Sequence, residues 1–196
     1  MAQPARSERR VRNRGVRPAV VFLAACTLVT LSACSSDGGD PTENKPTSAS
    51  PSPTVDAKEA QARKAVLTAY SGMRQEQTKA YAVGKDSGTK LNTYASDKAL
   101  AKIEGELFQY RQAGVVFKGK PKSIAKVTAI DLAQSPHKAM VSECFITTDW
   151  TAVKKDSGKD VTSPNQVHRY TVTGSVRTIG DRWMVVDYAV DKQHTC

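Results

Sequence analysis

Hydrophobic and polar positions divide the chain into four stretches. Residues 19–33, AVVFLAACTLVTLSA, run fifteen positions without a charge, short of the about 20 that a membrane-spanning helix needs. Residues 35–55, SSDGGDPTENKPTSASPSPTV, are the opposite, with Val55 their only large apolar side chain. From residue 56 to 113 apolar residues recur every third or fourth position, as on one face of a helix. After Gly114 the period falls to two, the alternation of strands.

The 3.6-residue period predicts three helices. Asp56 and Glu59 have capping-box spacing at the start of the first. Ala62, Val66, Tyr70, Met73 and Tyr81 then form one stripe that ends near Gly84. Residues 91–95 make a short second helix. Ser96 or Asp97 caps a third, with Leu100, Ile103, Leu107 and Tyr110 inward and Gly114 at its C-terminal stop. Strands follow over residues 115–118 and 124–132. A long strand is expected over residues 139–153, with Met140, Cys144, Ile146 and Trp150 mostly on one face. Residues 167–179 form the next, with Tyr170, Val172 and Val176 sharing a side. Gly180-Asp181 then turns tightly into residues 183–190. Helices first and antiparallel strands afterwards make an α+β pattern.

The N-terminal stretches read as an address. Arg6, Arg9, Arg10, Arg12, Arg14 and Arg17 precede the apolar run, giving the basic and apolar regions of a signal peptide. Leu31-Ser32-Ala33-Cys34 closes the run and resembles a bacterial lipobox, the cut site before a lipid-modified cysteine. The resemblance implies a diacylglyceryl thioether on Cys34 and a protein held on the outer face of the cell membrane. Leu23-Ala24-Ala25-Cys26 has similar chemistry, but polarity switches directly after Cys34. Arg9-Arg10 lacks the apolar residues that follow a twin-arginine export pair. The expected organisation is therefore a leader over 1–33, a lipidated cysteine and disordered linker over 34–55, and one α+β domain over 56–196. A Ser/Pro/Thr-rich segment cannot bury enough surface to offset chain entropy. As a coil it would span roughly 25 Å.

Removing the leader changes the charge. It carries six of the 29 basic residues and one of the 19 acidic ones, so the net falls from +10 to +5. The cysteine count also splits: Cys144 and Cys196 remain as an even pair in an exported domain, where a disulfide is expected.

The helical first half, the long strands and the Gly180-Asp181-Arg182-Trp183-Met184-Val185-Val186 hairpin together resemble the nuclear transport factor 2-like superfamily. That resemblance covers residues 56–190 and implies a cone of curved antiparallel sheet wrapped around helices. The strand that superfamily places among its early helices is not evident here. A cystatin-like sheet around one helix is the competing fold. Enzymes of the superfamily often place an Asp, His or Tyr inside the cone, which makes Asp149, Asp187, His168, Tyr70 and Tyr188 the residues to locate. In particular, Asp187 alternates against Met184, Val186 and Tyr188, so only one set can face inward.

Other chemistry has little support. His137, His168 and His194 are scattered, and no Cys/His spacing matches a zinc site. No phosphate-cradling glycine loop or nucleophile elbow is present, so no cofactor is expected. Lys118, Lys120, Lys122 and Lys126 form one basic group, and Lys154, Lys155 and Lys159 a second, mixed with Asp156 and Asp160. Without interleaved aromatics these do not read as a nucleic-acid surface; they could meet anionic lipid or wall polymer. The leading expectation is a membrane-anchored, non-catalytic binding or interaction module for a small molecule or an envelope protein. A cone-fold enzyme using Asp149, Asp187 or His168, and an envelope spacer, are the alternatives. Ligand and oligomeric state stay open.

Overall fold

The computed structural model describes residues 55–196. The leader, the lipobox and most of the linker lie outside the described residues. Helix α1 (Val55–Val83) is followed by α2 (Leu91–Tyr94) and α3 (Asp97–Gln112). Six strands complete the chain: β1 (Val115–Gly119), β2 (Lys122–Asp131), β3 (Lys138–Ile146), β4 (Trp150–Lys154), β5 (Arg169–Ile179) and β6 (Arg182–Asp191). The class is α+β, with every strand pair antiparallel.

At 29 residues α1 is about 44 Å long. Its stripe is buried as the periodicity predicts: Val66, Tyr70 and Met73 are fully inaccessible, and Tyr81 nearly so. Asp56 lies within the first turn rather than capping it, because the helix already begins at Val55. Glu59 holds Arg63 at 2.8 Å, one turn on. The other end stops on Gly84, whose φ of 74° costs an L-residue strain. There the Lys85 amide reaches back to the Ala80 carbonyl at 3.1 Å, a Schellman closure. Helix α3 packs Ala99, Ile103 and Leu107 inward. Ser96 occupies its N-cap position but makes no side-chain cap bond; its hydroxyl donates to Asp97 instead.

The strands form two sheets, not the single sheet expected. One is four-stranded, in the order β2-β3-β5-β6, and the other pairs β1 with β4. The expected strand over 139–153 breaks between them. Ile146 ends β3; the Trp150 amide then donates to the Thr147 carbonyl at 3.1 Å, closing a turn that sends β4 to β1. Thr147-Thr148-Asp149 is the polar cluster that permits this turn.

The inner face of the large sheet carries Ala139, Val141, Glu143 and Phe145 of β3, and Val172, Gly174 and Val176 of β5. Met140, Cys144 and Ile146 do share a face, but it is the outer one. Cys144 is bonded there to Cys196, with Cα atoms 5.6 Å apart, inside the range a disulfide can bridge. On β6 a bulge opposite Ser175 and Val176 inserts Val186. The extra residue shifts the alternation, so Val185 and Tyr188 both join the core and the expected grouping of Met184, Val186 and Tyr188 is lost. Gly174 opposes Val141 and lies under the Tyr70 ring; a Cβ there would overlap that ring. This bare patch of strand lets α1 sit close to the sheet. Ala95, between α2 and α3, makes a single parallel bridge to Val185, with the Ser96 amide on the Val185 carbonyl at 3.0 Å.

Candidate functional site

The core contains charge. Along α1, Tyr70, Arg74, Gln77 and Tyr81 fall at spacings of four, three and four, which puts them on the face that meets the sheet. Opposite them, strand alternation turns Glu143 inward. The side chains of Arg74 and Glu143 are 7% and 0% exposed. Arg74 donates from Nη2 to Glu143 Oε2 at 2.6 Å and from Nε to both carboxylate oxygens at 3.1–3.2 Å. Tyr70 Oη donates to the same carboxylate at 2.8 Å, and the Ser123 hydroxyl donates to its other oxygen. Glu143 is therefore saturated with donors. It has no lone pair to spare for a substrate proton, and its role is to hold Arg74.

Arg74 is also ringed by aromatic faces. Its guanidinium carbon lies 4.6 Å from the Phe145 ring centre, 5.2 Å from Tyr188 and 5.5 Å from Tyr70. Burial opposes its charge, but the attraction of Tyr70 and Glu143 outweighs that and holds it protonated. From Nη1 the network continues to Gln77 Oε1 at 2.8 Å, from Gln77 Nε2 to Tyr81 Oη at 3.2 Å, and from Tyr81 to Glu106 on α3. One chain of hydrogen bonds thus joins β3, α1 and α3.

Beyond Arg74 this network borders a cavity of about 280 Å³. Tyr81, Tyr110, Tyr170, Tyr188, Phe145 and Trp150 form its aromatic walls, with Glu106 the carboxylate and Lys192 a cation among its lining. Tyr81 and Trp150 stack with centroids 5.8 Å apart. Two wall residues have buried polar atoms that make no close hydrogen bond, Trp150 Nε1 and Tyr188 Oη, on side chains more than nine-tenths buried; the Gln77 amide is near enough to act on the Tyr188 oxygen, which leaves the Tyr188 O–H without an acceptor. Burial, reinforced by the nearby Glu106 charge, raises the phenol pKa of Tyr188 and pushes that of Tyr110 up to about 12. Both remain donors at any physiological pH.

The residues singled out from sequence divide. Tyr70 and Tyr188 are inside, the first in the Arg74 network and the second on the cavity wall. Asp149, Asp187 and His168 do not line this cavity. Asp149 is exposed and 3.5 Å from Lys122. Asp187 is held by Lys102 at 2.6 Å, and that hydrogen bond lowers its pKa. His168 is exposed, with Nδ1 3.4 Å from the Thr147 hydroxyl. Nothing brings these three together. Arg74, Glu143, Gln77 and Glu106 were missed, because a charged residue within an alternating strand or helix normally marks the solvent side. The signal was the spacing of Tyr70, Arg74, Gln77 and Tyr81 along the same stripe as the core. Among the described residues no three His, Cys, Asp or Glu side chains gather as a metal site. Nor is any helix there long and apolar enough to cross a membrane.

No protein family matches the chain, and no curated protein is similar to it. Among solved structures it is similar to the crystal structure of the intermembrane space region of the chloroplast protein ARC6. The identity is 14% and the TM-score 0.45, over 70% of this chain and 98% of that one.

Proposed function

We propose that this chain is an exported, lipid-anchored binding module that takes a small ligand into its aromatic cavity without transforming it. The domain is read as a nuclear transport factor 2-like cone, with α1 and α3 lying in the concave side of the sheet. One observation carries the reading. Trp150 and Tyr188 line a cavity walled by rings, and each keeps a buried polar atom, Nε1 and Oη, without a close hydrogen-bond partner, which costs about 1–3 kcal/mol. A ligand with a ring to stack and oxygens to accept hydrogen bonds fits that wall; sugars and carbonyl-bearing rings are the matching class. The saturated Glu143 carboxylate argues for binding over catalysis. The anchor rests on Leu31-Ser32-Ala33-Cys34, and a linker of about 20 residues would keep the domain within tens of Å of the bilayer.

Native mass spectrometry of the chain purified gently from a Gram-positive host tests the cavity. A reproducible extra mass of one small molecule is expected, reduced or lost in Tyr188→Phe and Trp150→Phe. Bare protein under all conditions, with neither variant altering any binding, would remove the cavity from the account. Independently, Cys34→Ala should release the protein from membranes and end its labelling by radioactive lipid; full retention would remove the anchor.

A further inference from the structure

A second, larger concavity lies on the other side of Arg74. We infer that this groove, between α1 and the start of β2, binds a single anionic lipid, with its acyl chain along the helix and its headgroup among lysines. The groove has a volume of about 880 Å³. Its helical wall runs from Arg63 to Lys79, seventeen residues and so about 24 Å, which makes it a channel rather than a pit. Leu67, Pro121, Ala125 and Phe145 supply apolar lining. The remaining lining is hydroxyl, amide or cation, and no carboxylate belongs to it.

Charge complementarity selects the occupant. Arg63, Lys79 and Arg74 have acidic partners in Glu59, Glu76 and Glu143. Lys64 and Lys120 also line the groove, and among the described residues neither makes an ion pair. A one-signed cleft with low-dielectric walls concentrates anions, and the apolar strip would be wasted on a small free anion. The hydroxyls nearest the strip do not compete for the chain. Thr68, Ser71 and Thr78 each donate to a carbonyl within α1, so they are already satisfied. An acyl chain joined to a negative headgroup matches both properties at once. The basic group read from the sequence is thereby divided: Lys120 faces the groove, whereas Lys122 is committed to Asp149.

This inference goes beyond the aromatic cavity; the two share Arg74 and Phe145, but Lys64, Leu67 and Lys120 line only the groove and Tyr188 only the cavity, so the two can fail separately. The probe is lysophosphatidylglycerol below its micelle concentration, titrated calorimetrically into the chain from residue 34 onward. That chain carries Cys34→Ser to prevent lipidation and keeps the Cys144–Cys196 bridge; the described residues form one compact unit. Saturable one-to-one binding is expected, at least tenfold weaker for lysophosphatidylcholine and absent for glycerol phosphate. Lys64→Glu with Lys120→Glu should weaken it tenfold or more, as should Leu67→Glu, with circular dichroism unchanged. Tyr188→Phe should leave it alone. The inference is overturned if the monomeric lipid fails to bind, if the zwitterionic lipid binds equally, or if glycerol phosphate binds as well as the lipid. It is likewise overturned if the groove variants bind as the parent does, or if only whole anionic vesicles are bound.

Discussion

At the scale of single residues, the centre of the molecule is an ion pair rather than an apolar plug. Removing two charges from water is costly, and the pair recovers that cost only through geometry and added hydrogen bonds. Arg74 and Glu143 have both: three guanidinium–carboxylate bonds, plus Tyr70 and Ser123 on the acid and Gln77 on the base. Glu143→Gln should cost about 3–5 kcal/mol, because it strands a charge among Phe145, Tyr70 and Tyr188. Arg74→Met combined with Glu143→Leu should cost far less than the sum of the single changes. Urea denaturation of the parent, Glu143→Gln, Arg74→Met, Glu143→Leu and the double variant measures this. A single-mutant cost below about 1 kcal/mol would show that the pair is not the core element described here. The spacing of Tyr70, Arg74, Gln77 and Tyr81 was a signal for its helical half, but nothing announced its partner, because Ala139, Val141 and Phe145 flank Glu143 on a face that alternation alone leaves undecided from its neighbour.

At the scale of elements, the local features were foreseeable and two long-range ones were not. The helix stripe, the Gly84 and Gly114 stops and the Gly180-Asp181 turn are local in origin, and all appear. The break after Ile146 and the bulge at Val186 are settled by pairing with strands far away, β1 for the first and β5 for the second. One covalent tie spans this region. Cys144 and Cys196 close a loop of sequence separation 52. The chain-entropy argument gives their bond at most about 4 kcal/mol. Replacing both with Ser should lower the denaturation free energy by up to that amount while leaving the folded circular dichroism spectrum intact. Equal stability of the reduced and oxidised protein would contradict it.

For the molecule as a whole, ionisable groups held by hydrogen bonds or burial set the pH range of stability. Hydrogen bonds from Lys79 and the Lys90 amide lower the Glu76 pKa below 4.5, and Lys102 lowers that of Asp187 below 3.8. A depressed folded pKa gives stability that is present above the unfolded value and lost as pH falls through the folded one. The acid limb should therefore begin below about pH 4.5, and Glu76→Gln should flatten it. Tyr110 behaves oppositely. Burial raises its pKa from 10 to about 12, so its contribution is full below pH 10 and lost as pH rises towards 12. Tyr70, Tyr81 and Tyr188 are raised as well, chiefly by burial. Urea midpoints measured across pH should show a plateau between these limits. A midpoint that did not fall on either side would contradict the assignment.

By itself the sequence determined the α+β class, the order of helices before strands, the helix stops and the face of α1 that is buried. These follow from near-neighbour spacing and from glycine's access to positive φ. It also supplied the reading of residues 1–55, which depends on composition and on four residues at Cys34. Tertiary structure alone decided that the strands divide into two sheets and that Val186 is bulged. It alone decided that Arg74 and Glu143, 69 positions apart, meet out of water, with a cavity and a groove on either side of the guanidinium. The physical reason is the same in each case. Periodicity reports which face of an element is turned inward, whereas pairing partners and buried charges depend on what the rest of the chain brings to that face.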